Sequence, residues 1–287
     1  MKRERSDNRY VLLLLAGIVL AAMLMILFIK SSRGSEEPEE GREVRVFNGS
    51  DYIYIVPQEG VPVNPLTADD FKLKDGQPVY RGSDYKTLLG VDISKFQGNI
   101  DWNEVRESGI DFALIRAGGR AYRQEGDLYS DDKLLENVDA AKSAGLMVGV
   151  YFFSQAVTAA EAETEACFIA DVLNGRELEL PVFFDWERIG TAPARTDGLG
   201  GAEVTECAVS FCEKIKELGY EPGVYIYQYT GYYTYELARL TDYTLWCAGI
   251  GDYPFFYYAH DIWQYSIEGS VPGIDTVCDL DMMFIKK

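Results

Sequence analysis

Two acids that follow an apolar segment are the residues best suited to chemistry. In the stretch LPVFFDWERIG (residues 180–190), five apolar residues run directly into Asp185, and Glu187 follows two positions later. Because side chains alternate between the two faces of a strand, both carboxylates point the same way. Like charges held this close separate their pKa values, so one carboxyl stays protonated while its neighbour is ionised.

Such a pair suits acid-assisted cleavage of a glycosidic bond, in which one acid protonates the leaving oxygen and another carboxylate stabilises the positive transition state. Glu187 has the longer reach and is predicted to be the general acid, with Asp185 as its ionised neighbour. Their Cα atoms would be roughly 6.6–6.8 Å apart, between retaining and inverting spacings, so the stereochemical outcome stays open. The competing interpretation, surface charges at the start of a loop, fits poorly with the apolar residues before them and with Trp186 between them.

Further acids occur near the ends of other predicted strands. Asp92 follows the apolar start of LLGVDIS, and Asp279 and Asp281 share one face of VCDLDMMF. Taken singly, Asp92 is equally consistent with a strand-end cap and Asp281 with a solvent-exposed charge. Convergence of these acids with Asp185 and Glu187 on one edge of a sheet is better explained by a site.

The remaining composition narrows the chemistry to carboxylates. The chain has one histidine, His260, and no ligand spacing typical of a metal site or fingerprint of a cofactor. We therefore predict neither a metal nor a cofactor. The five cysteines are dispersed and do not form a disulfide scaffold, although one bridge between helices stays open.

The segments that must position these acids alternate between strands and helices from residue 88 onward. Apolar patterning predicts strands at residues 88–94, 111–118, 146–153, 178–187, 223–228, 243–250, 261–266 and 276–284. It predicts helices at residues 102–109, 131–145, 158–175, 202–218 and 231–239. This alternation indicates an α/β fold with a parallel sheet, closed as an irregular TIM-like barrel of eight strands and about five helices. The last three strands have little room for helices between them.

The region before the barrel divides by composition. Residues 11–29 are uncharged and long enough to cross a membrane as a helix. Four basic residues precede them: Lys2, Arg3, Arg5 and Arg9. The positive-inside rule then places residues 1–10 in the cytoplasm and the bulk of the chain outside the cell membrane. A cleaved signal peptide with secretion is the alternative.

Three further boundaries follow along the chain. Residues 30–45 are rich in Ser, Gly and Glu, which predicts a flexible linker. Residues 46–85 are predicted to form a small β-rich lead-in segment with an Asp-Gly turn, and residues 86–287 to form the barrel domain.

The chain has a net charge of −19, and residues 1–33 hold six of its 27 basic and two of its 46 acidic residues, so the remainder has a net charge of −23. This balance argues against nucleic acid as a partner.

Aromatic and polar side chains near the strand ends are candidates for binding sugars, because Tyr and Trp combine an apolar face with a hydrogen-bonding tip. The candidate substrate-binding residues are Tyr151, Phe153, Tyr225, Tyr227, Trp263, Gln264, Tyr265, Arg116 and Asp281. For most of the aromatic residues, packing in the core is the competing interpretation.

Six segments in order resemble glycoside hydrolase family 25, the lysozymes of the Chalaropsis and cellosyl type. They are GVDISKFQGNIDW (90–102), DFALIRAGGRAY (111–122), VGVYFFSQA (148–156), PVFFDWE (181–187), DIWQYS (261–266) and VCDLDMMF (277–284). The resemblance covers about residues 86–287. It implies an irregular eight-stranded barrel and metal-free cleavage of the β-1,4 bond between N-acetylmuramic acid and N-acetylglucosamine in peptidoglycan.

The resemblance also implies roles for four acids. Glu187 resembles the family's proton donor, and Asp185 the partner that orients the substrate's own N-acetyl group as internal nucleophile. Asp92 and Asp279 resemble the other two acids of the pocket. Where the family usually has Asn, this chain has Asp281. Two alternatives stay open: a non-catalytic glycan-binding or scaffold protein on the same barrel, and a glycosidase acting on another N-acetylated glycan such as chitin.

Overall fold

The computed structural model describes residues 41–287, of which Glu43–Lys287 form one compact unit. The predicted cytoplasmic segment (1–10), the predicted membrane span (11–29) and most of the predicted linker (30–45) lie outside the described residues. Among residues 41–287, no helix has the length and apolar character needed to cross a membrane.

Thirteen strands and five α-helices make up the described chain. The strands are β1 (Val44–Phe47), β2 (Tyr52–Ile55), β3 (Phe71–Lys74), β4 (Gln77–Tyr80), β5 (Tyr85–Ile93), β6 (Phe112–Arg120), β7 (Leu128–Ser130), β8 (Met147–Ser154), β9 (Val182–Trp186), β10 (Pro222–Tyr227), β11 (Thr244–Ala248), β12 (Ile262–Gly269) and β13 (Cys278–Lys286). The helices are α1 (Trp102–Glu107), α2 (Leu134–Ser143), α3 (Ala159–Leu173), α4 (Gly201–Glu217) and α5 (Gln228–Tyr233). The last helix begins before the predicted residue 231 and ends before the predicted residue 239, where a separate 3₁₀ turn, Leu237–Arg239, follows.

Eight strands close into a barrel in the order β5-β6-β8-β9-β10-β11-β12-β13, with β13 pairing back to β5. The predicted eight-stranded barrel is therefore confirmed. The expectation of a wholly parallel sheet is wrong at its end, because β13 is antiparallel to both neighbours, β12 and β5. Only residues 270–277 join β12 to β13, and a parallel return needs a crossover of a dozen or more residues.

The barrel sheet separates two apolar layers. Inward-facing side chains form a small cluster with Phe112, Phe183 and Trp246 at its centre. Outward-facing side chains, such as that of Val224 on β10, pack with side chains of the helices in a much larger apolar core. The alternation of side chains along each strand thus determines which residues reach the barrel interior and which are covered by helices.

The lead-in segment covers the side of the barrel that lacks helices. Phe71 of β3 packs its ring against Trp263 of β12 at 5.6 Å and against Phe284 of β13 at 6.2 Å, between ring centroids. The chain between the two hairpins bonds to the loop before β12, where Ala259 N donates to Pro62 O at 2.8 Å. This segment therefore takes the place that crossover helices occupy elsewhere around the barrel.

Local sequence explains the hairpin that carries Phe71. The β3–β4 turn places Asp75 and Gly76 at φ of 52° and 80°, the left-handed conformation that the predicted Asp-Gly turn requires.

The five cysteines are all free, and four of them are buried as small apolar side chains: Cys207, Cys212, Cys247 and Cys278.

Replacing Phe71 tests whether the lead-in segment stabilises the barrel. We expect Phe71→Ala to lower the free energy of unfolding by about 3 kcal/mol, because a buried ring and its contacts with two barrel strands are removed. Leu73→Ala on the same strand is the matched control, since Leu73 is 49% exposed and should change stability by less than about 0.5 kcal/mol. Equal effects of the two variants in chemical denaturation would show that the segment does not support the barrel.

Candidate active site

The acids of β5 and β13 meet at one end of the barrel. Asp92 lies near the carboxyl end of β5, and its Cα pairs with that of Asp279 at the start of β13. The antiparallel direction of β13 explains this meeting, because the first residues of β13 reach the end where the parallel strands finish. The end of the barrel that holds the acids, its mouth, is thus formed by the carboxyl ends of the parallel strands and the amino end of β13.

Gln264 connects these two acids. Its Nε2 donates to Asp92 Oδ2 at 2.7 Å and to Asp279 Oδ2 at 3.2 Å. Its Oε1 accepts a hydrogen bond from the hydroxyl of Tyr225 at 3.0 Å. The amide therefore separates two carboxylates and holds the tyrosine ring beside them.

Asp185 and Glu187 extend from the carboxyl end of β9, as predicted from their spacing. Asp185 is buried, whereas Glu187 lies just beyond the strand and is half-buried. Burial raises the pKa of both carboxyls, and the neighbouring Glu187 charge raises the pKa of Asp185 further. Each carboxyl of this pair therefore favours its protonated form more than an exposed acid does.

Arg116 of β6 is the cation that faces this pair. Its charge lowers the pKa of both Asp185 and Glu187, which partly offsets the effect of burial. The guanidinium is held by Tyr129, whose hydroxyl accepts from Nη2 at 2.9 Å, and lies 5.0 Å from the ring centroid of Phe153. Arg116 and Phe153, both predicted as substrate-binding residues, therefore lie beside the paired acids.

Asp281 lies deeper, in the barrel interior. It is fully buried, and its Oδ1 accepts a hydrogen bond from Trp246 Nε1 at 2.8 Å, while Oδ2 has no partner. Burial raises the pKa of both Asp281 and Asp92, and the Asp281 charge raises the pKa of Asp92 further. Burial and the Glu187 charge raise the pKa of Asp279 to about 6. The indole and the strands enclose Asp281, whereas the sequence predicted that it contacts substrate.

The predicted aromatic residues divide between the two faces of the sheet. Tyr151 and Tyr225 pack edge-on against Trp246 inside the barrel, with ring centroids 5.7 Å and 4.6 Å away. Trp263 and Tyr265 instead lie in the outer core, and Trp263 Nε1 donates to Gly249 O at 2.7 Å. The structure does not bring these two to the acids, because Gln264 between them points inward and strand neighbours point the opposite way.

Sequence analysis did not identify two residues that shape the site. Trp246 forms the base beneath the acids through its contacts with Tyr151, Tyr225 and Asp281. Gln155 is fully buried and donates from Nε2 to the backbone oxygen of Glu187 at 2.9 Å. Its Oε1 accepts from the Thr196 hydroxyl at 2.8 Å, so it ties the position of Glu187 to the loop that follows. The sequence could have indicated both residues through the alternation of side chains along the strands that carry or adjoin them. For Trp246, however, packing in the apolar core explains the same position equally well.

A closed barrel with paired carboxyls at its mouth defines a class of glycoside-cleaving proteins, and the comparisons agree. Residues 91–274 match the family model described as glycosyl hydrolases family 25. This match spans more than half of the chain, which therefore belongs to that family. Among residues 41–287, no group of three or more His, Cys, Asp or Glu side chains is arranged to hold a metal ion.

Individual relatives support the same assignment. The chain is 30% identical over 196 residues to an autolytic lysozyme of Clostridium acetobutylicum, covering 68% of this chain and 55% of that protein. It is 27% identical over 153 residues to lysozyme M1 of Streptomyces globisporus, covering 53% of this chain and 46% of that protein. The chain thus spans about half the length of these two relatives. The fold is shared with the autolysin LytC of Streptococcus pneumoniae, with a TM-score of 0.60, 20% identity, and coverage of 75% of this chain and 52% of that one.

Asp281 gives a test of the buried acids. A carboxyl whose pKa is higher folded than unfolded binds more protons in the folded state, so its contribution to stability falls as pH rises above about 4. We expect Asp281→Asn, which keeps the acceptor for Trp246, to raise the melting temperature at pH 8 by at least about 2 °C. The gain should shrink toward pH 4, where the wild-type carboxyl is also neutral. A gain that is the same at both pH values would contradict this electrostatic origin.

Proposed function

We propose that this protein is an N-acetylmuramidase that hydrolyses the β-1,4 bond between N-acetylmuramic acid and N-acetylglucosamine in peptidoglycan. The observation that supports this most directly is the pair formed by the buried Asp185 and the half-buried Glu187 at the mouth of a family 25 barrel, with pKa values raised by burial. Two relatives carry the name lysozyme, and the Chalaropsis and cellosyl type is the subtype that the sequence motifs resemble.

In the proposed mechanism, Glu187 protonates the glycosidic oxygen as the bond breaks. Its longer side chain extends beyond the strand toward the opening, where a substrate oxygen has access. In the reacting form of the pair, Glu187 holds the proton and Asp185 is ionised, and the Asp185 carboxylate orients the substrate's N-acetyl group as internal nucleophile. Asp279, whose pKa is raised only to about 6, supplies negative charge that stabilises the positive charge developing on the sugar ring, and Asp92 presents its carboxyl oxygens beside it.

The remaining mouth residues bind and orient the sugar. Arg116 and Gln264 present donors beside the acids, and Tyr151, Phe153, Tyr225 and Tyr227 line the opening. Gln155 acts as a positioning residue, because it bonds the backbone of Glu187 rather than the reacting atoms. These side chains perform the reaction by proton transfer and charge stabilisation alone.

We further propose that residues 11–29 anchor the protein in the bacterial membrane, with residues 1–10 in the cytoplasm and the barrel outside. The uncharged length of this segment and the basic residues before it support the anchor. Secretion after cleavage is the alternative location. Both place the barrel on the side of the membrane where peptidoglycan lies.

Removing the acid tests the activity. We expect Glu187→Gln to lower the rate of release of new reducing ends from purified peptidoglycan by at least about 10²-fold, because the amide donates no proton to the leaving oxygen. Glu163→Gln, on the exposed face of α3, is the matched control and should leave the rate unchanged. Mass analysis of the products identifies the bond, since a muramidase leaves N-acetylmuramic acid at the reducing end.

Two results would overturn the assignment in different ways. Equal rates for Glu187→Gln and wild-type protein would remove Glu187 from its role. A wild-type protein that binds the glycan and releases nothing would establish the scaffold alternative, and cleavage of chitin in preference to peptidoglycan would redirect the substrate assignment.

Cell fractionation tests the anchor. The full-length protein should sediment with membranes, resist extraction by high salt and alkaline carbonate, and dissolve in detergent. Placing two arginines in the middle of residues 11–29 should abolish membrane retention, because each central charge costs about 2.5–3.5 kcal/mol on insertion. Recovery of all the wild-type protein from the medium, in a form shortened at its N-terminus, would show cleavage and secretion instead.

A further inference from the structure

A ladder of three tyrosines runs outward from the barrel mouth along β10 and α5. The rings of Tyr227 and Tyr229 are stacked, with centroids 6.3 Å apart and planes 16° from parallel. Tyr229 in turn contacts Tyr233, one helical turn later, at 4.8 Å between centroids. We call Tyr227, Tyr229 and Tyr233 the tyrosine ladder.

The ladder begins at the paired acids. Tyr225 of β10 pairs with Asp185 of β9, so Tyr227 lies two residues on, level with Glu187. The Glu187 charge is close enough to contribute to the raised pKa of Tyr227, after the larger effect of burial. β10 is also four strands from β5 in either direction around the barrel, so the ladder leaves the mouth on the side opposite Asp92.

Packing of the fold does not require the outer two rings to be tyrosine. Tyr229 and Tyr233 are 46% and 50% exposed, whereas Thr230 and Gly231 on the other side of α5 are buried. Tyr232 already anchors the helix, with its ring 4.9 Å from Phe256 and its hydroxyl accepting from Tyr257 N. A contiguous row of exposed aromatic residues that continues from a reactive site indicates a binding surface.

We propose that the tyrosine ladder is a stacking platform for the sugar rings of a glycan strand that extends beyond the cleaved bond. This inference rests on the proposed muramidase function and adds to it that the preferred substrate is a polymeric strand rather than a short oligosaccharide. Sugar rings carry apolar C–H faces that pack on aromatic rings, while tyrosine hydroxyls bond to sugar hydroxyls and acetamido groups. The exposed rings of Tyr229 and Tyr233 would contact the apolar faces of successive sugars as the glycan strand extends away from the acids in one direction.

Binding measurements with full-length protein test the ladder. In a Glu187→Gln background, which prevents cleavage, affinity is measured for peptide-free chains of alternating N-acetylglucosamine and N-acetylmuramic acid, four and eight sugars long. We expect the longer chain to bind more tightly, and the double change Tyr229→Ala and Tyr233→Ala to remove about two- to tenfold of affinity per ring for that chain. The loss for the four-sugar chain should be smaller.

Tyr54→Ala is the matched control, because Tyr54 is 65% exposed on β2 and its ring contacts none of the ladder rings. Equal loss of affinity for both chain lengths, or no loss for the longer one, would overturn the platform. Hydrolysis by the unaltered chain is measured in parallel. Length-dependent binding without hydrolysis would keep the platform and remove the muramidase function, whereas hydrolysis with length-independent binding would do the reverse.

Discussion

Repulsion among five carboxyl groups in one barrel end is the constraint on which the rest of the site depends. Asp92, Asp185, Glu187, Asp279 and Asp281 all face the same interior or mouth. Ionising every group there would place like charges together in a region sheltered from water. Some of these carboxyl groups therefore stay protonated near neutral pH. The barrel mouth thus holds proton donors although no histidine lies among the five acids.

The neighbours of these acids distribute that charge. Gln264 places amide hydrogens between Asp92 and Asp279, Trp246 satisfies one oxygen of Asp281, and Arg116 brings a positive charge toward the β9 pair. Each contact selects which carboxyl is ionised most easily. The half-buried Glu187 thereby stays accessible from the opening, and its raised pKa favours the protonated form that the proposed general acid requires.

The same barrel depends on a segment outside the matched family region. The three final strands are joined without helices, so the outer faces of β12 and β13 would lie open without a cover. Phe71 and the chain around Pro62 supply that cover. Because β13 carries Asp279 to the mouth and Asp281 beneath it, a lead-in segment remote from the chemistry supports the geometry of the acids.

The pattern of apolar residues alone predicted the eight barrel strands and the paired placement of Asp185 and Glu187, because period-two and period-3.6 patterns are local properties of the chain. The family resemblance rested on six short motifs in a fixed order, which are also local to the sequence. Tertiary structure decided the direction of β13, the inward position of Gln264 with Trp263 and Tyr265 turned outward, and the burial of Asp281 against Trp246. These properties depend on how distant segments enclose each side chain, and enclosure, unlike spacing, is not encoded in any short stretch of sequence.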